Sequence, residues 1–160
     1  MSATRARHSR LSVRPMTADD VTEIVAIEKL CFPDPWPRSA FEDILGNSDH
    51  GALVVAQENK IVGYGCYLII VNEAHLTNLA VIPEARRRGL AKLMLNQILE
   101  ITESARCEYI ILEVRPRNES AIAFYENAGF KLLYRRPRYY RNPVEDALVM
   151  VYYFKDIESQ

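Results

Sequence analysis

Arg86-Arg87-Arg88-Gly89-Leu90-Ala91 is the stretch on which the reading of this chain turns. It lies between a strand-like run, Leu76 to Val81 closed by Pro83, and a helix-like run from Leu90 to Glu103. Arginines at a helix start oppose the helix dipole, whose N-terminal end is already partly positive. A sequence breaks a local rule of this kind where function or a bound partner compensates. Phosphate is the natural partner, because first-turn N–H groups point outward unsatisfied and Gly89 lets a bulky anion approach the backbone. A basic run beside a glycine is by itself most often a solvated surface turn. Between a strand and a long amphipathic helix, it reads as a diphosphate cradle.

Upstream of the cradle, Leu11 to Arg14 reads as a first strand. Thr17 with Asp20 resembles a capping box, and Val21, Ile24, Ile27 and Leu30 give a helical stripe. Cys31-Phe32-Pro33-Asp34-Pro35-Trp36-Pro37 cannot continue that helix, since its prolines restrict it. Ser39 with Glu42 reads as the cap of a short helix ending near Gly46. Ala52 to Gln57 and Ile61 to Val71 form strands around a hairpin turn at Glu58-Asn59-Lys60, and Glu73 to Val81 follows as another antiparallel partner. Downstream, the helix from Leu90 feeds an apolar strand, Tyr109 to Val114, and a further helix from about Glu119 to Asn127 stops at Gly129. Closing strands near Phe130 to Tyr134 and Ala147 to Phe154 flank a basic loop, Arg135 to Arg141. Helix–strand alternation beside hairpins implies an α/β (α+β) class, with a mixed sheet and helices on both faces.

The 160 residues, 49% hydrophobic, suit one domain over residues 1–160, with a loose tail over 1–9. A formal net charge of −1 argues against DNA as a partner. No stretch approaches the roughly 18 apolar residues of a membrane span, and the polar, basic first ten residues do not read as a secretory signal. Cys31, Cys66 and Cys107 lack metal-type spacing and read as reduced, mostly buried thiols of a cytoplasmic protein; no metal is expected. His8, His50 and His75 have no motif partners and receive no chemistry.

With the cradle so placed, the chain resembles the GNAT N-acetyltransferases, whose acetyl-CoA motif Gln/Arg-x-x-Gly-x-Gly/Ala matches Arg86, Gly89 and Ala91. The likeness covers Leu11 to Tyr153 and sharpens to the RimI type, the ribosomal-protein-alanine N-acetyltransferases, at further places. These are Asn78-Leu79-Ala80-Val81, the runs Leu112 to Arg115 and Asn118 to Phe130, and Arg138-Tyr139-Tyr140. Phe124 and Pro116-Arg117 depart from the pattern, at the rim of the cofactor site. The resemblance implies a mostly antiparallel sheet of about seven strands, splayed in the middle, with about four helices. It also implies acetyl-CoA as cosubstrate, held by Leu79, Ala80 and Val81 along pantetheine, by Arg86, Arg87, Arg88, Gly89, Leu90 and Ala91 at the diphosphate, and by Asn118. A backbone N–H near Val81 would polarise the thioester carbonyl.

Glu113 interrupts an otherwise apolar strand, where desolvation favours a general base. Its residues alone equally allow an end-of-strand glutamate paired with Arg115 or another cation; the resemblance favours the base. Tyr125, on an amphipathic helix opened by Asn118, reads as a core aromatic from its pattern, and the resemblance makes it the acid that protonates the departing thiolate. Direct attack, with no acetyl-cysteine, follows. The acceptor side falls to Phe32 and Trp36 in the proline-rich loop and to Tyr139 and Tyr140. Basic–aromatic interleaving there also fits RNA contact, but the resemblance assigns these segments to a peptide slot. Chemistry favours a chain terminus, since an α-amine has a pKa of roughly 8 against roughly 10.4 for lysine. The implied activity is acetylation of a protein N-terminus, an N-terminal alanine of a small-subunit ribosomal protein. The alternatives are a lysine or small-amine acetyltransferase and a non-catalytic ribosome- or RNA-associated module.

Overall fold

The chain forms seven strands, β1 (Leu11–Pro15), β2 (His50–Gln57), β3 (Lys60–Ile70), β4 (Glu73–Val81), β5 (Tyr109–Val114), β6 (Lys131–Arg141) and β7 (Val144–Tyr153), with strict period-two burial clearest in β5. Apolar stripes of helical period give α1 (Val21–Cys31), α2 (Arg38–Leu45), α3 (Leu90–Ser104) and α4 (Glu119–Asn127). The computed structural model describes residues 10–154, so the tail expected over 1–9 lies outside the described residues. The strands form one sheet in the order β1-β2-β3-β4-β5-β7-β6. Every neighbouring pair is antiparallel except β4 and β5, joined through the α3 crossover. Glu58 and Asn59 both take positive φ (52° and 68°), the geometry of a two-residue hairpin turn.

Helices cover both faces. On one, the T-shaped contact of Phe41 with Tyr64 (5.8 Å) seats α2, and Glu28 of α1 bonds the Tyr64 hydroxyl. On the other, α3 crosses β3 at Gly63 and Gly65. A Cβ there would lie 3.2 Å from Met94 Cε and 3.0 Å from Ile98 Cδ1, so glycine permits the close approach. α4 joins the same cluster as Leu95 and Ile98 through Ile122, Phe124 and Tyr125.

β4 changes face partway along. Tyr67 pairs with Leu76 and Cys66 with Asn78, leaving Thr77 as an extra residue. Ala74 and Leu76 consequently pack with the α3 cluster, whereas Asn78 reaches Glu28 on the α1 side.

Three local expectations are corrected. Leu30 is 60% exposed, because it lies about 180° round the helix from Val21, and Glu28 takes the inward position instead. Ser39 sits inside α2, whose N-cap is Pro37 with no side-chain cap bond. The basic segment Arg135–Arg141 is not a loop but the second half of β6, with a register shift between Arg136 and Tyr140. Pro137 is tolerated inside that shift because β6 is an edge strand.

Where β1 meets α1, Asp20 Oδ2 accepts the Thr17 N–H (2.8 Å), and its two oxygens take the Arg14 guanidinium at 2.7 and 2.8 Å. The Arg14 bond, ahead of the Thr17 bonds, lowers the Asp20 carboxyl from 3.8 to about 2. A depressed carboxyl contributes stability that is fully present above pH 3.8 and lost as pH falls through about 2. With Arg14 42% exposed, screening reduces that contribution to about 1 kcal/mol. Asp20→Asn should therefore lower the melting temperature at neutral pH and flatten the acid side of the stability curve, as read by calorimetry between pH 2 and 5.

Candidate active site

The sheet opens where its single parallel pair fails. β4 and β5 share only the rungs Glu73–Tyr109, Ala74–Ile110 and His75–Ile111. Beyond them β5 stays with β7 along its whole length, while β4 stays with β3 as far as Val81. The β5-side edge of β4 from Leu76 onward is thus left unpaired by strand. Ile82 N–H donates to Val62 O on β3 (2.9 Å), so strand alternation turns Ala80 toward β3 and Leu79 and Val81 toward the gap. An extended thiol arm can add to that edge as a further strand, reading only backbone.

At the gap's end lies the arginine-rich turn. Gly89, with φ +76°, is the N-cap of α3 and supplies no side-chain cap, so the first-turn N–H groups face outward. A Cβ on Gly89 would meet nothing within 4 Å, so the approach is open, as a diphosphate requires. The arginines divide their tasks. Arg86 turns inward, its Nε donating to Val81 O (3.0 Å) and its Nη2 lying 3.7 Å from Cys31 Sγ. Arg88 reaches Gln57 Oε1 (3.4 Å), and Arg87 has no polar side-chain partner among the described residues. Leu90 is buried beneath them and Ala91 packs against the core, so each could offer a ligand only its backbone.

Glu113 points to the α1 side, opposite Ile110, Leu112 and Val114, which pack with α3. Its partner is His75, with Nε2 2.5 Å from Oε2, and the two side chains are 29% and 9% exposed. Arg115, the cation weighed as its partner, instead bonds Glu145 (3.2 Å) and lies 4.1 Å over the Tyr140 ring. Tyr139 and Tyr140 meet edge to face at 4.9 Å, and Arg136 stacks on Tyr139. Burial first, with the nearby Glu113 carboxylate adding to it, pushes both phenols above the ordinary range. Arg115, two residues from Glu113 on β5, brings the Tyr139–Tyr140 pair toward this strand, and the structure adds His75, to which no chemistry was assigned. Period-two counting hides that pair, because it exists only through the β4–β5 register.

On the opposite face, Asn118 caps α4 by accepting the Ala121 N–H (3.2 Å). Tyr125 is wedged between Phe124 (5.2 Å) and Phe130 (5.5 Å), and burial pushes its hydroxyl upward, keeping it a proton donor. Burial likewise raises the thiols of Cys31, Cys66 and Cys107, which disfavours a thiolate nucleophile.

Phe32 and Trp36 are half-buried against the α1–α2 core, with Trp36 5.7 Å from Phe41. Glu28, 2% exposed, fastens this loop from below. Its Oε2 accepts the Trp36 N–H (2.9 Å), while Oε1 accepts Asn78 Nδ2 (3.1 Å) and the Tyr64 hydroxyl. One buried carboxylate thus joins the proline-rich loop to β3 and to the bulged part of β4.

Comparison with known proteins fits this geometry. Residues 21–130 match the acetyltransferase (GNAT) family, and the chain belongs to that family. It is an acetyltransferase that uses acetyl-CoA as its acyl donor. A [ribosomal protein bS18]-alanine N-acetyltransferase of Salmonella typhimurium is 30% identical over 84% of this chain and 92% of its own. An N-alpha-acetyltransferase of Saccharolobus solfataricus is 30% identical over 87% of this chain and 90% of its own. The crystal structure of the ribosomal-protein-S18-alanine N-acetyltransferase from Escherichia coli superposes with a TM-score of 0.83 at 27% identity, covering 90% of this chain and 94% of that one.

Two outcomes test the site. Glu28→Ala strands three buried donors, at about 1–3 kcal/mol for each group left unsatisfied; refilling by water should hold the loss to about 3 kcal/mol in a denaturant titration. Acetyl-CoA at a hundredfold excess over its dissociation constant should stabilise the wild type by about 2.7 kcal/mol. Gly89→Glu puts bulk and negative charge at the helix start and should abolish that thermal shift in a protein that still folds.

Proposed function

We propose that this acetyltransferase acts on the α-amino group of a protein N-terminus, an N-terminal alanine of a small-subunit ribosomal protein in the cytoplasm. The observation that carries this reading is the Glu113 carboxylate, set with His75 where β4 and β5 part, while Arg115, two residues further along the chain, lies over the Tyr140 ring. Support comes also from relatives aligned along nearly the whole chain and named for alanine and N-alpha acetylation.

In this reading acetyl-CoA supplies an acetyl group already activated as a thioester. Leu79 and Val81 hold its pantetheine by backbone groups, and the Val81 N–H polarises the carbonyl. Backbone N–H groups from Arg87 to Ala91 hold the diphosphate, and Asn118 completes the cofactor contacts. Glu113 removes the acceptor ammonium's proton, because a protonated amine has no lone pair to attack with. Tyr125 returns a proton to the departing sulfur. Phe32, Trp36, Tyr139 and Tyr140 wall the terminal residue.

Glu113→Gln should leave acetyl-CoA affinity intact and slow turnover about 10²–10⁴-fold near neutral pH. The defect should shrink as pH rises past the α-amine pKa of about 8, where neutral acceptor forms unaided; a constant defect would make Glu113 a positioning group. The acceptor is decided by intact-mass analysis of a peptide panel. Alanine-starting peptides should gain one acetyl on the α-amine, and peptides with a blocked terminus and an internal lysine should gain none. RNA should be retained no better by the wild type than by Tyr139→Ala or Tyr140→Ala.

A further inference from the structure

We propose that Glu28 is a positioning residue of the acceptor slot, a role that rests on the slot as proposed above and deepens it. Its bonds set the aromatic wall of the proline-rich loop against the β4 edge proposed to take the thioester arm. Both aromatic residues given to that wall take their main-chain position from this one residue. The Phe32 N–H donates to the Glu28 main-chain oxygen (3.0 Å), and the Trp36 N–H donates to Glu28 Oε2 (2.9 Å). The other carboxylate oxygen, Oε1, accepts Asn78 Nδ2 (3.1 Å), and Asn78 immediately precedes Leu79. Where the loop begins, Cys31 Sγ lies 3.8 Å from Val81 O, so the loop stands against that edge.

The loop has little else to direct it. Pro33, Pro35 and Pro37 have no N–H to give, which leaves Asp34 and Trp36 as the main-chain donors between Phe32 and Arg38. Among the described residues, the Trp36 bond is the only hydrogen bond made by residues 33–36. Packing of Trp36 on Phe41, at 5.7 Å, adds apolar contact, but that attraction has no preferred direction. The prolines fix their own φ, so the segment moves as a stiff piece, and a bond near its far end sets where both rings stand.

Hydrogen-bond chemistry separates this role from one that needs the charge of Glu28. In Glu28→Gln the amide oxygen can still accept the Trp36 N–H, with the amide N–H groups turned toward the Tyr64 oxygen and Asn78. Asn78 Oδ1 is buried without a partner among the described residues, so a turn of that amide lets it accept. The wall then keeps its place with the charge removed. Glu28→Leu fills much the same space and accepts nothing. The Trp36 N–H then turns to water in the free protein, the loop lifts, and a bound peptide has to order it again.

The test compares wild type, Glu28→Leu, Glu28→Gln and Tyr64→Phe for acetylation of an alanine-starting peptide. Folding is checked by thermal melting, and wall placement by the emission of Trp36, the single tryptophan of the chain. Glu28→Leu should raise the KM for peptide about 10-fold, the order expected when two side chains must be ordered on binding. Its kcat and its KM for acetyl-CoA should hold, and its Trp36 emission should move to the red. Glu28→Gln should bring peptide KM and emission back to wild-type values. Tyr64→Phe removes a donor to Glu28 without touching the loop and should match wild type in both. A wild-type peptide KM in folded Glu28→Leu, or a Glu28→Gln as impaired as Glu28→Leu, overturns the positioning role. An alanine-starting peptide left unmodified by the wild type overturns the acceptor reading and this role with it, an outcome distinct from the other two.

Discussion

A parallel strand pair that holds for three rungs and then parts is the constraint on which the rest of this molecule depends. Had β4 and β5 stayed paired, the sheet would be continuous and its two faces would be sealed from each other. Because they separate, the edge of β4 keeps backbone groups that no strand satisfies. Groups on the α1 face and the α4 face can then act on one another's chemistry. β5 stays with β7 along its length and β4 with β3 on their outer edges, so each strand remains in the sheet while the inner edges part.

The bulge at Thr77 matters for the same reason. Without it, strict alternation would keep every even-numbered residue of β4 on the α3 face, with Asn78 among apolar side chains. The extra residue sends Asn78 to Glu28 instead, and so links β4 to the loop that carries Trp36. Among the described residues this buried carboxylate has three neutral donors and no cation, and its bonds tie those donors to one another. Here they belong to β3, β4 and the proline-rich loop, on the α1 side of the sheet.

Much of this was legible in the residues. The boundaries of β5 and α4 coincide with their apolar pattern and cap, and the hairpin at Glu58-Asn59 follows from turn chemistry. Illegible features are those set by partners distant in sequence. Leu30 fits a three-residue repeat but drifts off the buried face, since the true period is about 3.6 residues. Arg135 to Arg141 looks like a loop by charge and proline, yet pairing with β7 and an edge position make it strand. His75 has no motif because its partner Glu113 lies on another strand, brought within reach by a register that no local pattern encodes. The clearest site signal, the arginine run, was local, while the chemistry around Glu113 was not.

The arginine run also repays a closer physical reading. Three adjacent guanidiniums suggest an electrostatic trap, but Arg86 is turned inward to hold the Val81 carbonyl, and Arg88 leans on Gln57. Only Arg87 keeps its side chain without a polar partner among the described residues. Direct charge–phosphate attraction is therefore the smaller part of the proposed cradle, and the fixed N–H groups that open α3 the larger. Those groups are held by a helix of 15 residues and need no ordering when a phosphate arrives, whereas an exposed arginine must give up rotamer freedom to make the same contact. By bracing Val81, Arg86 also ties the turn proposed to take the diphosphate to the strand edge proposed to take the thioester arm. In that reading one hydrogen bond sets the register between the two segments that take the ends of one long donor.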